Sequence, residues 1–438
     1  MGFIVTRRTM TGTQAFPNET PRNTMNNQKP LPAAKDCDPL ALGWMKGSPP
    51  AVDKIIRFED GSGYRFPQLR WSFAHYRQLV PTVTVAKGLR SSTPLPMAQR
   101  ALPDVSYTPM GETSVCNWAD MMEATYTDAL LVMHKGQVLF EHFGGVMTPE
   151  REHIAMSVSK SFMGLLAACL VAEGVLDETQ CVDHYLPELA GSGFADATVR
   201  QVMDMTTAID YTENYADPQA EIWKHMRAGG VMPRPPGYSG PGNFYDYLKT
   251  VRKLGEHGDS FTYRTANTDV LGWIVRRLSG QNTEQMLSER IWGPMGAELD
   301  AYYTVDPNGT SFAGGGLNTG LRDLARFGEL VRNHGRVGQT QVLPAAAVAD
   351  TFAGADPARF VANGPATLAG WSYRNMWWVS HNAHGAIMAR GVHGQNIYID
   401  PQAEMVIARY ASHPVAANIA NDPHTLPAYH ALALALLG

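Results

Sequence analysis

The chain has 438 residues, 44% hydrophobic and 18% charged, with 36 Lys plus Arg against 41 Asp plus Glu for a formal net charge of −5. Such a length carries roughly two or three domains and an ample core, and the mild acidity excludes the basic face that a nucleic-acid binder needs. The 41 glycines and 29 prolines imply many turns without the repeat period of a fibre or solenoid.

Residues 1–35 are polar and aperiodic and read as a flexible N-terminal arm; Arg7 and Arg8 are followed by no apolar run of signal-peptide length. Residues 44–110 scatter Trp44, Phe58, Phe66, Trp71, Phe73 and Tyr76 among prolines, the pattern of an irregular segment wrapped on a core. Residues 129–134 and 137–143 are β-rich runs joined at Lys135-Gly136, which predicts a hairpin. Phe162, Leu165, Leu166, Cys169 and Leu170 repeat at helical spacing until Gly174. Thr198 is placed to cap a helix through Val199, Val202 and Met203. Residues 210–245, rich in Gly, Pro, Tyr and Asp, read as long loops. A helix is expected over 266–280, with Val270, Leu271, Ile274 and Val275 apolar and Gly280 at its end, and another from a Thr319 cap to His334. Residues 391–399 and 405–410 read as a second hairpin across Asp400-Pro401-Gln402-Ala403.

Strands at both ends with helices between them predict an α/β (α+β) architecture, an antiparallel sheet flanked by helices with an all-helical domain inserted. The expected divisions are the arm at 1–35, the first part of the sheet domain at 36–185, the helical insertion at 186–310 and the second part of the sheet domain at 311–438. No run of about 18 uncharged apolar residues exists to span a membrane. Cys37, Cys116, Cys169 and Cys181 form no C-x-x-C pair and no disulfide framework, which reads as a reduced cytoplasmic protein without a zinc cluster.

The chain has no G-x-S-x-G, H-E-x-x-H or G-x-x-x-x-G-K motif, but one S-x-x-K, Ser157-Val158-Ser159-Lys160. Two fixed residues say little alone; their place at the start of an apolar helix says more. Positions i and i+3 share a face, so Lys160 projects beside Ser157. A serine hydroxyl needs a base to become a nucleophile, and a lysine serves once burial lowers its pKa. The bland alternative is an exposed helix start. Tyr263, in Tyr263-Arg264-Thr265-Ala266-Asn267, is either a general acid/base or a core tyrosine at a helix entry. Ala389-Arg390-Gly391-Val392-His393-Gly394-Gln395 either brings a strand edge and its N–H groups to a substrate or marks a bulge. His381, His384 and His393 lack a supporting carboxylate pattern, so neither a metal nor a cofactor is expected. Trp371, Tyr373, Trp377 and Trp378 read as core or as a cleft wall.

The order of these elements resembles the serine β-lactamase and penicillin-binding-protein superfamily. The stretch 263–273 resembles the Tyr-x-Asn region of its class C and esterase branch. Ala313-Gly314-Gly315-Gly316-Leu317-Asn318-Thr319, with Arg322-Asp323-Leu324-Ala325-Arg326-Phe327, resembles that branch's Gly-Gly-Leu…Asp-Leu-Ala-Arg-Phe signature. The runs 66–73 and 205–218 are similar to the 6-aminohexanoate-dimer hydrolases, the nylon-oligomer hydrolase group with carboxylesterase activity. The resemblance implies Ser157, Lys160 and Tyr263 as the catalytic trio, the N–H groups of Ser157 and Val392 as oxyanion donors, and Tyr215 as a loop tyrosine clamping a substrate amide. His393 is expected beside them in the pocket.

Two departures stand out. Thr265 replaces the asparagine of Tyr-x-Asn, and Ala389-Arg390-Gly391 replaces Lys-Thr-Gly. The cation that holds a β-lactam carboxylate is thereby lost, with Arg390 its nearest substitute. The expected function is cleavage of small esters and linear amides through an acyl-serine, with Tyr263 held at low pKa by Lys160 as base, although the choice between Lys160 and Tyr263 stays open. The alternatives are a β-lactamase or D-alanyl-D-alanine carboxypeptidase, and a catalytically silent binding protein on the same fold. Partners are expected to be a small ester or amide and, by resemblance, a second copy of the chain in a homodimer.

Overall fold

A computed structural model describes residues 31–98 and 100–438. Of the arm expected at 1–35, residues 1–30 lie outside the described residues. Eleven strands matter for the site: β1 (Thr82–Val85), β2 (Thr127–His134), β3 (Gln137–Phe143), β4 (Glu152–Ile154), β5 (Ala301–Thr304), β6 (Leu317–Gly320), β7 (Ser372–Arg374), β8 (Trp377–Val379), β9 (Ile387–Gly391), β10 (Gln395–Asp400) and β11 (Met405–Ala411). The helices used below are α1 (Val158–Ala172), α2 (Glu221–Ala228), α3 (Thr265–Ser279), α4 (Leu321–Arg332) and α5 (Asp422–Leu437).

The main sheet is antiparallel with strand order β7-β8-β9-β10-β11-β2-β3. Its central seam joins distant sequence: β11 pairs with β2 in the register Ile407↔Val132 and Ala408↔Leu131. Lys135 and Gly136 both take positive φ, 53° and 75°, the conformation of a tight hairpin turn, so the β2–β3 hairpin forms as its sequence predicts. A smaller sheet has the order β1-β5-β6-β4.

Helix α1 is buried from Val158 through Leu170, which is why its sequence is apolar on every side. Phe162 stacks on Phe327 of α4 with ring centroids 3.6 Å apart. A Cβ at Gly164 would lie 2.1 Å from the Asn375 carbonyl oxygen, so only glycine lets α1 seat at that depth. The capping box of Thr198 and Gln201 and the left-handed Gly280 (φ 67°) after α3 follow the expected signals. The aromatic-rich segment packs Leu69, Phe73, Tyr76 and Val80 with Ile154 of β4 into a small separate cluster. Its Arg70 forms a buried ion pair, 3.2 Å, with Asp128 of β2.

Three local expectations are corrected. Residues 210–245 are not all loop: α2 lies within them because Ile222 and Met226, four apart, bury one helical face. Thr319 does not cap α4; it sits in β6 with its hydroxyl 2.6 Å from the Tyr410 hydroxyl, and Gly320 occupies the cap. The strand expected over 391–399 is broken at Val392–Gly394, where His393 takes φ 63°, so Gly391 ends β9 and β10 starts at Gln395. All four cysteines are free, and among the described residues no helix is long and apolar enough to cross a membrane.

Candidate active site

Strand β4 is pinned by pairing His153 with Thr319 and delivers the chain to Ser157 through Met156, which takes a left-handed φ of 49°. Ser157 is the N-cap of α1, so Lys160 falls one turn later on the same side. Lys160 is fully buried; its Nζ donates to Ser157 Oγ at 2.9 Å and to the Gly314 carbonyl oxygen. Burial lowers its pKa to about 8, against a smaller upward pull from Glu213 and Asp269. Gly314 is itself held, its N–H donating 3.1 Å to Asp269 Oδ1 on α3.

Tyr263 stands two residues before α3, next to its N-cap Arg264, and Lys160 Nζ lies 5.1 Å from its ring centroid. The Tyr263 ring also stacks on Trp378, centroids 5.4 Å apart. Burial, reinforced by Glu213, raises the Tyr263 hydroxyl well above the ordinary phenol range, while the Ser157 side chain and Arg390 pull it down less. This overturns the expectation of a tyrosine held at low pKa by Lys160: desolvation outweighs the nearby charges, and the phenol stays protonated. Of the two, Lys160, lowered to about 8, is the group that titrates near neutral pH.

Gly391 brings the end of β9 against the nucleophile. A Cβ there would lie 2.7 Å from the Ala155 carbonyl oxygen and 3.0 Å from the Ser157 nitrogen. The turn that follows places Val392 and His393 in the wall of a cavity that also holds Ser157. Among the described residues, neither the Ser157 nor the Val392 N–H donates to a protein acceptor. His393 Nδ1 lies 2.7 Å from the His413 carbonyl oxygen and so carries the ring proton; burial lowers the pKa of His393 to about 4, which keeps it neutral.

Tyr215 lines the same cavity and donates from its hydroxyl to Glu213 Oε1 at 2.6 Å. Glu213 also accepts from the Thr265 hydroxyl (2.7 Å) and the Thr265 N–H (2.6 Å). Thr265 thus anchors a carboxylate that the sequence did not single out. Glu213 lies in the quoted run 205–218, but its partner is 52 positions away and no local pattern connects them. Tyr64 and Tyr76 of the aromatic segment also line the cavity, as do Trp223 of α2 and Phe312.

Arg390 is not in this wall. It is buried, paired with Asp422 of α5, and its guanidinium carbon lies 5.2 Å from the Trp378 ring centroid, behind Tyr263. The expectation that it contacts substrate is corrected: the alternation of β9 turns it away from the side that Gly391 presents to Ser157. Tyr373, Trp377 and Trp378 are core residues. His384 pairs with Asp400 at 2.7 Å and His381 Nε2 meets Ser372 Oγ at 2.7 Å, so these histidines and His393 have separate partners.

The cavity measures about 500 Å³, within the range of small-molecule sites. A nucleophile beside a buried amine, two free N–H groups and a protonated phenol together fit acyl transfer.

Comparison with known proteins agrees with that chemistry. The Beta-lactamase family model matches residues 119–431. The chain is 36% identical over 354 residues to the 6-aminohexanoate-dimer hydrolase of Paenarthrobacter ureafaciens, covering 80% of this chain and 86% of that protein. A Bacillus anthracis structure assigned to the 6-aminohexanoate-dimer hydrolases superposes with a TM-score of 0.78 at 30% identity, covering 89% of this chain and 98% of that one. A penicillin-binding-protein homologue from Caulobacter crescentus shares the fold, with a TM-score of 0.53 at 16% identity over 73% of this chain and 99% of that one.

Proposed function

The chain belongs to the Beta-lactamase family, alongside the 6-aminohexanoate-dimer hydrolases, and from that premise we propose that it cleaves small esters and linear amides through an acyl intermediate on Ser157. The observation that carries this reading is the 2.9 Å contact of the buried Lys160 Nζ with Ser157 Oγ at the base of the cavity. Neutral Lys160 takes the Ser157 proton as Oγ bonds to the carbonyl carbon. The oxyanion meets the N–H groups of Ser157 and Val392; each such donor is worth about 3 kcal/mol. Tyr263, still protonated, donates its phenolic proton to the leaving group as the old bond breaks, and the lysine ammonium returns a proton to it. Water then attacks the acyl-serine by the same path in reverse, releasing the acid and restoring Ser157. Tyr215, held by Glu213, faces the substrate.

Arg390, spent on Asp422, offers no cation for a β-lactam carboxylate, which weighs against the β-lactamase and carboxypeptidase alternative. The trio of Ser157, Lys160 and Tyr263 weighs against a silent binding protein. The reading includes a cytoplasmic location, supported by the four free thiols, and a homodimer, supported by the resemblance alone. The test is hydrolysis of p-nitrophenyl esters, the linear 6-aminohexanoate dimer and nitrocefin by the purified protein, with Ser157→Ala as the blank. Turnover of the ester and the linear amide, lost in Ser157→Ala, is expected; equal slow hydrolysis by both proteins rejects the hydrolase reading, and turnover of nitrocefin alone favours the alternative.

A further inference from the structure

We infer that Asn418 is a positioning residue for oxyanion binding: its side-chain amide holds the Gly391 carbonyl and thereby turns the Val392 N–H into the cavity beside Ser157. This rests on the hydrolase reading above and adds the residue that aims one of its two donors.

A peptide unit is planar, and across a trans bond its C=O and N–H point in opposite directions. The Gly391–Val392 bond is trans. The carbonyl of that unit accepts from Asn418 Nδ2 at 3.0 Å, so its N–H, that of Val392, is directed away from Asn418. Gly391 packs so closely on the nucleophile that a Cβ there would lie 3.0 Å from the Ser157 nitrogen, which sets the two N–H groups of the site on neighbouring backbone. Asn418 is half-buried and opens a single 3-10 turn, Asn418–Ala420. Residues 414–417 just before it line the cavity, whereas Asn418 faces the Gly391 carbonyl instead.

The hydrogen bonds along the turn make this contact specific. The Val392 carbonyl accepts from Gln395 Nε2 at 3.1 Å, the His393 carbonyl from the His413 N–H at 3.1 Å, and the Gly394 carbonyl from Arg409 Nη1 at 2.8 Å. The His393 N–H donates to the Ala416 carbonyl oxygen at 2.9 Å. Every carbonyl from Gly391 to Gly394 is therefore held, while the Val392 N–H, without a protein acceptor among the described residues, is left for a ligand. These bonds keep His393 at its left-handed φ of 63°. Gln395 and Arg409 are fully buried and fix the frame of the turn. Asn418 comes from a separate segment and acts on the one peptide unit that carries the donor. An amide whose carbonyl already accepts a hydrogen bond is also polarised toward stronger donation from its N–H.

Thionoesters supply the readout. Their sulfur is larger than oxygen and accepts hydrogen bonds more weakly, so they gain less from a well-placed N–H. The test compares kcat/KM for p-nitrophenyl acetate and p-nitrophenyl thionoacetate in the parent protein, Asn418→Leu, Asn418→Asp and Ile419→Ala, with Ser157→Ala as the blank. Both Asn418 variants remove the amide donor at similar side-chain size. Each is expected to lose about tenfold or more on the oxygen ester and to lower the oxygen-to-sulfur rate ratio at least about threefold, a part of the loss that deleting one oxyanion donor causes. Ile419→Ala changes the exposed neighbouring side chain and is expected to leave rate and ratio unchanged. An oxygen-to-sulfur ratio that Asn418→Leu and Asn418→Asp leave unchanged overturns the inference, whatever happens to the rates, and so does Ile419→Ala lowering the ratio as far as they do. A parent protein without Ser157-dependent ester hydrolysis overturns the hydrolase reading itself, and this inference with it.

Discussion

Lys160 Nζ lies 2.9 Å from Ser157 Oγ at a position without solvent exposure, so the amine that can accept the nucleophile's proton is also the one whose pKa burial lowers toward neutrality. Its pKa falls from an ordinary 10.5 to about 8. Only the neutral amine can act as base, so kcat/KM for an ester is expected to rise with pH along a limb centred near 8. A rate profile from pH 5 to 10 checks this. Lys160→Arg, which cannot deprotonate, is expected to lose about a thousandfold or more in kcat.

Burial of that lysine has a stability cost. Its folded pKa lies below its unfolded value, so between about pH 8 and 10.5 the unfolded chain binds the extra proton and stability rises with pH; below pH 8 the full penalty is present. Lys160→Met, of similar length, is expected to be inactive yet to melt a few degrees higher at pH 7. The gain is expected to shrink toward pH 10.5. Thermal unfolding at both pH values checks the sign.

Glu213 raises the Lys160 pKa and anchors Tyr215 and Thr265. Glu213→Gln is therefore expected to shift the ascending limb of the rate profile to lower pH, because the charge that favours the ammonium is gone. Thr265→Val keeps the charge and removes one hydrogen bond; it is expected to raise KM without moving the limb. A limb unmoved by Glu213→Gln counts against this coupling.

At Gly391 a Cβ would meet the Ala155 carbonyl oxygen at 2.7 Å and the Ser157 nitrogen at 3.0 Å. Gly391→Ala must push β9 and Val392 away from the nucleophile. The expected effect is roughly a hundredfold loss in kcat, the scale of one lost oxyanion donor, with the far-UV circular dichroism spectrum retained.

The elements read most securely from sequence are those whose signal is local and periodic. The β2–β3 hairpin carries its own turn at Lys135-Gly136, and α1 and α3 carry their stops at Gly174 and Gly280. Helix α2 was hidden because dense Gly and Pro around it mask a short apolar face. The break at Val392–Gly394 was hidden because a β-like sequence there bends to meet Ser157. Ser157, Lys160, Tyr263, Tyr215, Val392 and His393 were all visible as motif positions, and the fold gathers them around one cavity or directly behind it. Their protonation was not visible: the raised Tyr263 and lowered Lys160 depend on burial, which only the assembled structure sets. Glu213 escaped for a related reason, since its partner Thr265 comes from a distant stretch of chain.

The most direct test of the central claim is intact-protein and peptide mass spectrometry of the enzyme quenched during turnover of a p-nitrophenyl ester. One acyl adduct per chain is expected, mapped to the peptide containing Ser157 and absent from Ser157→Ala. Turnover that persists in Ser157→Ala, or an adduct on a different residue, would contradict it.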